Sequence, residues 1–429
     1  MNGEKSLQVL IIGSGGREHA IAWKAAQSLR LGKLYTLPGN PGTAQLGENV
    51  AGISPDDHPA IQRFCIEKQI DLVIIGPELY LAAGLADDLT EAGIKVFGPS
   101  RAAAQIESSK VFSKDFMRRY GIPTARYACF DNLVQALAHL AQVDYPVVIK
   151  ASGLAAGKGV ILPETRQDAK TALESMLAGQ AFGEAGSQVV IEERLSGQEV
   201  TMLSFSDGAT VKPMQPSQDH KRALEGDLGL NTGGMGAYAP VPVCPPEMVS
   251  ELVRIALQPA VDGLRAEGYP FVGVLYGGFM LTSAGPRVIE FNCRFGDPET
   301  QVVLPLLESD FLEIALACVE GSLDQVDVRW KDGAAACVVL ASGGYPGNYS
   351  TGYPITGLEA ERPNVVVFHA GTKSVDGKIL SAGGRVLCIT GLGTDIRQAL
   401  RMAYERIQPI QFEGMQYRKD IGHLVLGDR

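Results

Sequence analysis

Glu290, Asn292 and Arg294 alternate with Ile289, Phe291 and Cys293 in the stretch 287–301. Read as a strand, successive side chains point to opposite faces, so residues two apart share a face at about 7 Å spacing. Ile289, Phe291 and Cys293 then suit a core. On the other face a carboxylate, an amide carbonyl and a guanidinium can hold a hard cation and a phosphate together. The solvated face of an edge strand shows the same alternation. The turn that follows, Phe295-Gly296-Asp297-Pro298-Glu299, favours a site, because it sets two more carboxylates beside the arginine.

A phosphate needs cations, and the middle of the chain supplies them. Lys150 closes an apolar run and opens the small-residue loop Ala151-Ser152-Gly153-Leu154-Ala155-Ala156-Gly157-Lys158-Gly159. As a Walker loop it is one residue short between Gly153 and Gly157, and Gly159 stands where a Ser or Thr would bind magnesium. A glycine-rich hairpin flap over polyphosphate, with Lys150 and Lys158 as donors, fits better, although an ordinary mobile hairpin has the same composition. A helix is predicted over 109–120, with Phe112, Phe116 and Tyr120 on its apolar stripe. Lys110 in its first turn can reach a nucleotide, whereas Lys114 reads as a solvated lysine. Glu192 closes another apolar run and faces either a ligand edge or a surface partner, Arg194.

The elements that must position these groups follow from the apolar runs. Those at 7–12, 34–37, 72–75 and 95–97 each end in a small-residue loop and alternate with helical segments. This describes a doubly wound parallel sheet binding ligands at its carboxyl edge. Its first loop, Gly13-Ser14-Gly15-Gly16-Arg17-Glu18-His19, is an incomplete dinucleotide fingerprint with Glu18 in place of the third glycine. A small phosphate on the backbone of 13–16 and a purely structural turn both remain open. The polar, glycine-rich connection 218–236 reads as a functional loop. From about 328 the texture changes to short strands and one helix, a small α+β module with no obvious catalytic set.

The 429 residues imply about three domains. A net charge of -10 excludes a general nucleic-acid surface. Seven scattered cysteines without a C-x-x-C pair point to a reducing compartment rather than to disulfides or zinc. No apolar run reaches membrane-spanning length, so a cytoplasmic protein without a membrane partner is expected.

The order of the parts, from Lys110 through Lys150–Gly159 and Glu192-Glu193-Arg194-Leu195 to Glu290 and Asn292, resembles the ATP-grasp superfamily. Four motifs resemble its glycinamide ribonucleotide synthetase family in particular: 13–19, Pro38-Gly39-Asn40-Pro41-Gly42-Thr43, Asn231-Thr232-Gly233-Gly234-Met235-Gly236, and 294–301. The resemblance covers essentially the whole chain. Leu230 departs from it, since the family more often has Pro there. It implies an α/β and α+β multidomain protein: an N-terminal doubly wound phosphoribosyl-binding domain (1–104), a central ATP-grasp domain (105–327, flap about 123–192) and a C-terminal α+β domain (328–429). It implies ligation of glycine to 5-phosphoribosylamine, with ATP, and Mg²⁺ or Mn²⁺, as cofactors and a monomer or weak homodimer as the working form.

Residue by residue, the resemblance implies that Glu290 and Asn292 hold the metal, and that Arg294 and Asp297 are catalytic. Lys110, Lys150, Gly157, Lys158, Gly159, Glu192, Leu195 and Glu199 would bind the nucleotide. Gly15, Gly16, Arg17, Glu18, Asn40, Gly42, Thr43, Glu78, Asp219, Gly233, Gly234 and Glu299 would bind the other substrates. A formate- or bicarbonate-using ATP-grasp ligase, a non-catalytic nucleotide-binding regulator and a dehydrogenase built on the first domain are the alternatives.

Overall fold

Val9–Ile12 and Leu72–Ile74 are completely or almost completely withdrawn from water, as strands covered on both faces of a parallel sheet must be. A computed structural model describes residues 6–154, 159–178 and 183–427. In it these runs form the centre of a five-stranded parallel sheet ordered Glu48–Asn49, Leu31–Pro38, Leu7–Gly13, Leu72–Ile75, Val96–Phe97. Strand order reverses beside Leu7–Gly13, so a crevice opens at the carboxyl ends of Leu7–Gly13 and Leu72–Ile75. The turns at 14–16 and 76–78 stand there.

Helices Arg101–Ser108 and Lys110–Arg119 lead out of this sheet. Ser109 separates them, and its hydroxyl caps the second by accepting the N–H of Phe112. A second sheet follows, antiparallel and ordered Tyr127–Phe130, Val189–Glu193, Val147–Ala151, Val160–Ile161. Leu140 and Leu173, from helices Leu133–Gln142 and Arg166–Leu177, share a small core with Ile149 and Ile191. Lys150 pairs with Val160 across the two strands that flank the glycine loop. Gly157 and Lys158 lie outside the described residues.

The central antiparallel sheet runs Val211–Pro213, Gln198–Asp207, Val272–Thr282, Gly285–Asn292. The last sheet, also antiparallel, runs Gln218–Asp219, Gly236–Ala239, Ala334–Ala341, Arg385–Gly393, Val365–His369, with helix Ile396–Ile407 packed on it. Two of its strands come from the middle of the chain. The small α+β module expected from about 328 thus shares its sheet with two strands from the middle of the chain. These two strands are two and four residues long within a glycine-rich stretch, too short to show an alternation of their own. The same stretch, read as a loop, also holds the hairpin Arg222–Leu224 with Leu228–Asn231.

Among the described residues no helix is long and apolar enough to cross a membrane. The seven cysteines are free.

Candidate active site

A cleft of about 850 Å³ runs between the flap, the central sheet, the edge of the first sheet and the C-terminal sheet. Lys110, Lys150, Gly159, Glu192, Leu195 and Glu199 line it, together with Glu290, Asn292 and Arg294. Arg17, Glu78, Asp219, Gly233, Asp297 and Glu299 complete the expected set on its wall.

Strand Gly285–Asn292 forms one wall, with one departure from strict alternation. Gly278 pairs with Glu290 while Phe279 pairs with Val288, leaving Ile289 as an extra, bulged residue. A bulge shifts the alternation by one. Val288, Phe291 and Cys293 are buried in the core, and Ile289, expected there, instead lines the cleft. Its carbonyl accepts a hydrogen bond from Lys150 Nζ at 3.2 Å. Burial alone would raise the carboxyl pKa of Glu290, but Lys150, Lys110, Lys221 and Arg294 outweigh it and hold the group below the usual carboxylate range.

Glu192 is buried between two lysines: Lys150 Nζ lies 3.0 Å from Oε1 and Lys114 Nζ 2.9 Å from Oε2. Lys114 is thus not solvated, and Arg194 is not the partner of Glu192; Arg194 lies 3.9 Å from Glu164. Lys114 sits on the polar face of its helix, but the flap strand Val189–Glu193 lies over that face. Burial pushes the Lys114 ammonium down to about 8, with Lys150 adding to the shift and Glu192 opposing it. An adenine contact from Glu192 would have to share a carboxylate that two lysines already hold.

Arg294 is clamped. Its Nε lies 3.1 Å from Glu78 Oε2, and Nη2 lies 3.0 Å from Glu107 Oε1. For Glu78 burial acts upward, yet Arg294 and Arg17 bring its carboxyl down to about 2. The first sheet thereby reaches the arginine of the central strand through Glu78, and helix Arg101–Ser108 reaches it through Glu107.

The glycine turn of the first sheet is filled from within. Glu18 Oε2 accepts the Gly15 N–H at 2.6 Å and Oε1 accepts Arg17 Nε at 2.5 Å. A Cβ on Gly76 would lie 2.1 Å from Glu18 Oε1. The residue that breaks the dinucleotide fingerprint supplies an anion of its own, so the Gly15 N–H is not open to a phosphate. Gly15, Gly16, Glu18, Asn40, Gly42, Thr43 and Gly234 do not line the cleft. Asn40 spends its side chain on the loops: Nδ2 donates to the carbonyls of Ser14 (2.9 Å) and His369 (2.9 Å), and Oδ1 accepts from Gly42 and Thr43.

Asp219, Lys221 and Glu199 form a charged group beside Glu299. Lys221 Nζ lies 3.2 Å from Glu199 Oε2 and 3.8 Å from Asp219 Oδ1. Burial pushes the Asp219 carboxyl up to about 7, aided by Glu299 and Glu199 and opposed by Lys221. Glu299 Oε1 accepts from the Tyr276 hydroxyl at 2.9 Å.

Comparison with known proteins decides the lineage of this site. Three family models match in succession: phosphoribosylglycinamide synthetase N domain over 7–107, its ATP-grasp (A) domain over 108–300 and its C domain over 335–424. The chain belongs to the phosphoribosylglycinamide synthetase family. A phosphoribosylamine–glycine ligase of Vibrio vulnificus is 50% identical over 424 residues, covering 98% of this chain and 99% of that protein. A bifunctional purine biosynthetic protein of Schizosaccharomyces pombe is also 50% identical, and a trifunctional one of Gallus gallus 49%. The chain spans only 54% and 42% of the lengths of those two. The crystal structure of phosphoribosylamine–glycine ligase from Thermotoga maritima superposes with a TM-score of 0.84 at 34% identity, covering 96% of this chain and all of that one. Biotin carboxylase from Campylobacter jejuni shares the fold alone, with a TM-score of 0.72 at 16% identity.

ATP-grasp membership carries use of ATP and, generally, of a divalent cation. The donors present fit a hard ion: one carboxylate held ionised and one amide oxygen. Among the described residues no three His, Cys, Asp or Glu side chains converge as a metal cluster. Glu290 and Asn292 offer two donors to such an ion, and oxygens from water or a bound ligand can fill the rest of its shell.

Glu107, Arg385 and Tyr345 are among the cleft-wall residues that escaped the sequence reading. Glu107 gave no signal within its helix. Arg385 and Tyr345 belong to the part read as lacking a catalytic set, yet both line the cleft. Gly383-Gly384 and Gly343-Gly344 beside them are turn-forming pairs, a local hint of loops but not of a site.

Proposed function

We propose that the cleft joins glycine to 5-phosphoribosylamine, giving glycinamide ribonucleotide while ATP becomes ADP and phosphate. A carboxylate is a poor acyl donor until it is phosphorylated. Glycine therefore attacks the γ-phosphorus to give glycyl phosphate, and the amine then displaces phosphate from the acyl carbon. Phosphoryl transfer needs positioning and charge neutralisation more than covalent help. Lys110 and Lys150 meet the phosphates, and Glu192 keeps Lys150 aligned. Glu290 and Asn292 hold Mg²⁺, or Mn²⁺ in its place, which neutralises phosphate charge when bound. Arg294, oriented by Glu78 and Glu107, steadies the transferred group. The backbone near Leu195 takes the adenine and Glu199 the ribose. Gly159 meets the polyphosphate from the flap.

Arg17 and Glu78 present the first sheet's edge to the phosphoribosyl group, while Gly15, Gly16, Glu18, Asn40, Gly42 and Thr43 shape that edge from behind. Asp219, Asp297 and Glu299 receive the glycine ammonium or the substrate amine, between the loop of Gly233 and Gly234 and the turn after Arg294. We divide the chain accordingly at 104 and 327, with the flap over about 123–192.

One observation carries this reading: Arg294 ties the strand of Glu290 and Asn292 to Glu78 of the first sheet, putting the nucleotide groups and the phosphoribosyl edge in one cleft. The test is an omission assay with Mg-ATP and phosphoribosylamine generated in place from ribose 5-phosphate and ammonia. ADP release is expected only when glycine and phosphoribosylamine are both present. Equal release without glycine overturns the reading.

A further inference from the structure

Arg385 opens the strand Arg385–Gly393 at the cleft wall. Its Nη1 donates to the carbonyls of Gly233 and Asp297, each at 2.8 Å, and at 3.4 Å to that of Gly234. Its Nη2 lies 3.2 Å from Asp297 Oδ2. Tyr345, from the same C-terminal part, accepts the Gly233 N–H on its hydroxyl at 3.2 Å. A Cβ on Gly233 would lie 2.9 Å from the guanidinium carbon, so the loop lies directly against the arginine. One planar, five-donor group thus staples the 231–236 loop to the 297–301 turn, a span that the single ammonium of a lysine cannot cover. Gln301 Nε2 donates to Asp297 Oδ1 at 2.7 Å, so both carboxylate oxygens are held and the group has a set orientation. Each oxygen keeps a lone pair for a substrate N–H.

We infer that Arg385 is a positioning residue through which the C-terminal sheet builds the amine-binding half of the cleft. It orients Asp297 and the 231–236 loop toward glycine and the attacking amine, and leaves the nucleotide half to Lys110, Lys150 and Glu290. The inference rests on the ligase reading above. It gives the C-terminal sheet a task in the second half-reaction, beyond completing the scaffold.

Steady-state kinetics of Arg385→Ala, Arg385→Lys and Tyr345→Phe in the full chain test it. Arg385→Ala is expected to lower kcat/KM for glycine or phosphoribosylamine about 100-fold, with KM for ATP within about twofold. Millimolar guanidinium should restore about tenfold of that loss, because the bonding group rather than the charge is missing. Arg385→Lys keeps the charge and is expected to lose about tenfold, and Tyr345→Phe about threefold. Should Arg385→Ala fail to fold, Arg385→Lys decides alone. Unchanged substrate constants, or an ATP KM that rises in step with the others, overturn the inference. Wild-type enzyme that needs no glycine would instead overturn the ligase reading.

Discussion

Arg294 and Glu107 meet at 3.0 Å, and the other oxygen of the same carboxylate accepts the N–H of Cys293 at 2.7 Å. One buried side chain therefore fixes both the head of the arginine and the backbone that carries it. Burial raises the Glu107 carboxyl pKa, with Glu78 adding to the shift and Arg294 opposing it.

Glu107→Gln keeps a bond to Cys293 but removes the charge facing Arg294. A hydrogen bond to a charged group is worth about 1.5–3 kcal/mol, so kcat should fall about 10- to 100-fold if the loss falls on the transition state. KM for ATP should stay within about twofold. Unchanged kcat would mean that Glu78 alone holds the arginine.

Lys114→Met leaves Glu192 with Lys150 alone in a buried setting. Breaking such a pair costs about 3–5 kcal/mol, whereas Lys170→Ala on an exposed helix face should stay within about 0.5 kcal/mol. Urea denaturation of both variants separates a buried Lys114 from a surface one. Equal midpoints would contradict the burial of the pair.

Asp219 holds its proton up to about 7, owing first to burial and then to Glu299 and Glu199. If the carboxylate receives an ammonium, kcat/KM for glycine should rise as pH climbs through about 7, and Asp219→Asn should lack that limb. The sign for stability is opposite. The folded pKa lies above the unfolded value of about 3.9, so the native state binds more protons in between and loses stability as pH rises through this window. Asp219→Asn should therefore gain stability relative to wild type between pH 5 and pH 8. Melting curves at those two values check it.

Glu290→Ala removes the ionised ligand of the proposed metal. Turnover should fall more than about 100-fold, the several kcal/mol that charge neutralisation supplies, while far-ultraviolet circular dichroism stays native. Near-native activity would show that the metal is held elsewhere.

Much of this architecture is legible in the sequence. The parallel sheet, the helix around Lys110 and the strand ending in Asn292 follow from apolar runs and their periods, which are local properties. The face shared by Glu290, Asn292 and Arg294 was legible for the same reason. The bulge was not: Ile289 is apolar and fits either a core or a cleft wall, and only its pairing with Val272–Thr282 shows which. Nor was the burial of Lys114, since a helix face does not record what later packs on it.

The sequence by itself determined the family, through motifs whose residue types and order match its three domains. The tertiary structure alone decided which charges meet. Glu107 and Arg294 are 187 residues apart, and Arg385 and Gly233 are 152 apart. Separations of that size carry no periodicity or spacing rule, so such pairs exist only once the sheets have packed. Packing also removes water from Glu192, Lys114 and Asp219: desolvation sets the direction in which the protons of Lys114 and Asp219 move, while for Glu192 the two lysines outweigh it and hold the carboxyl below its usual range.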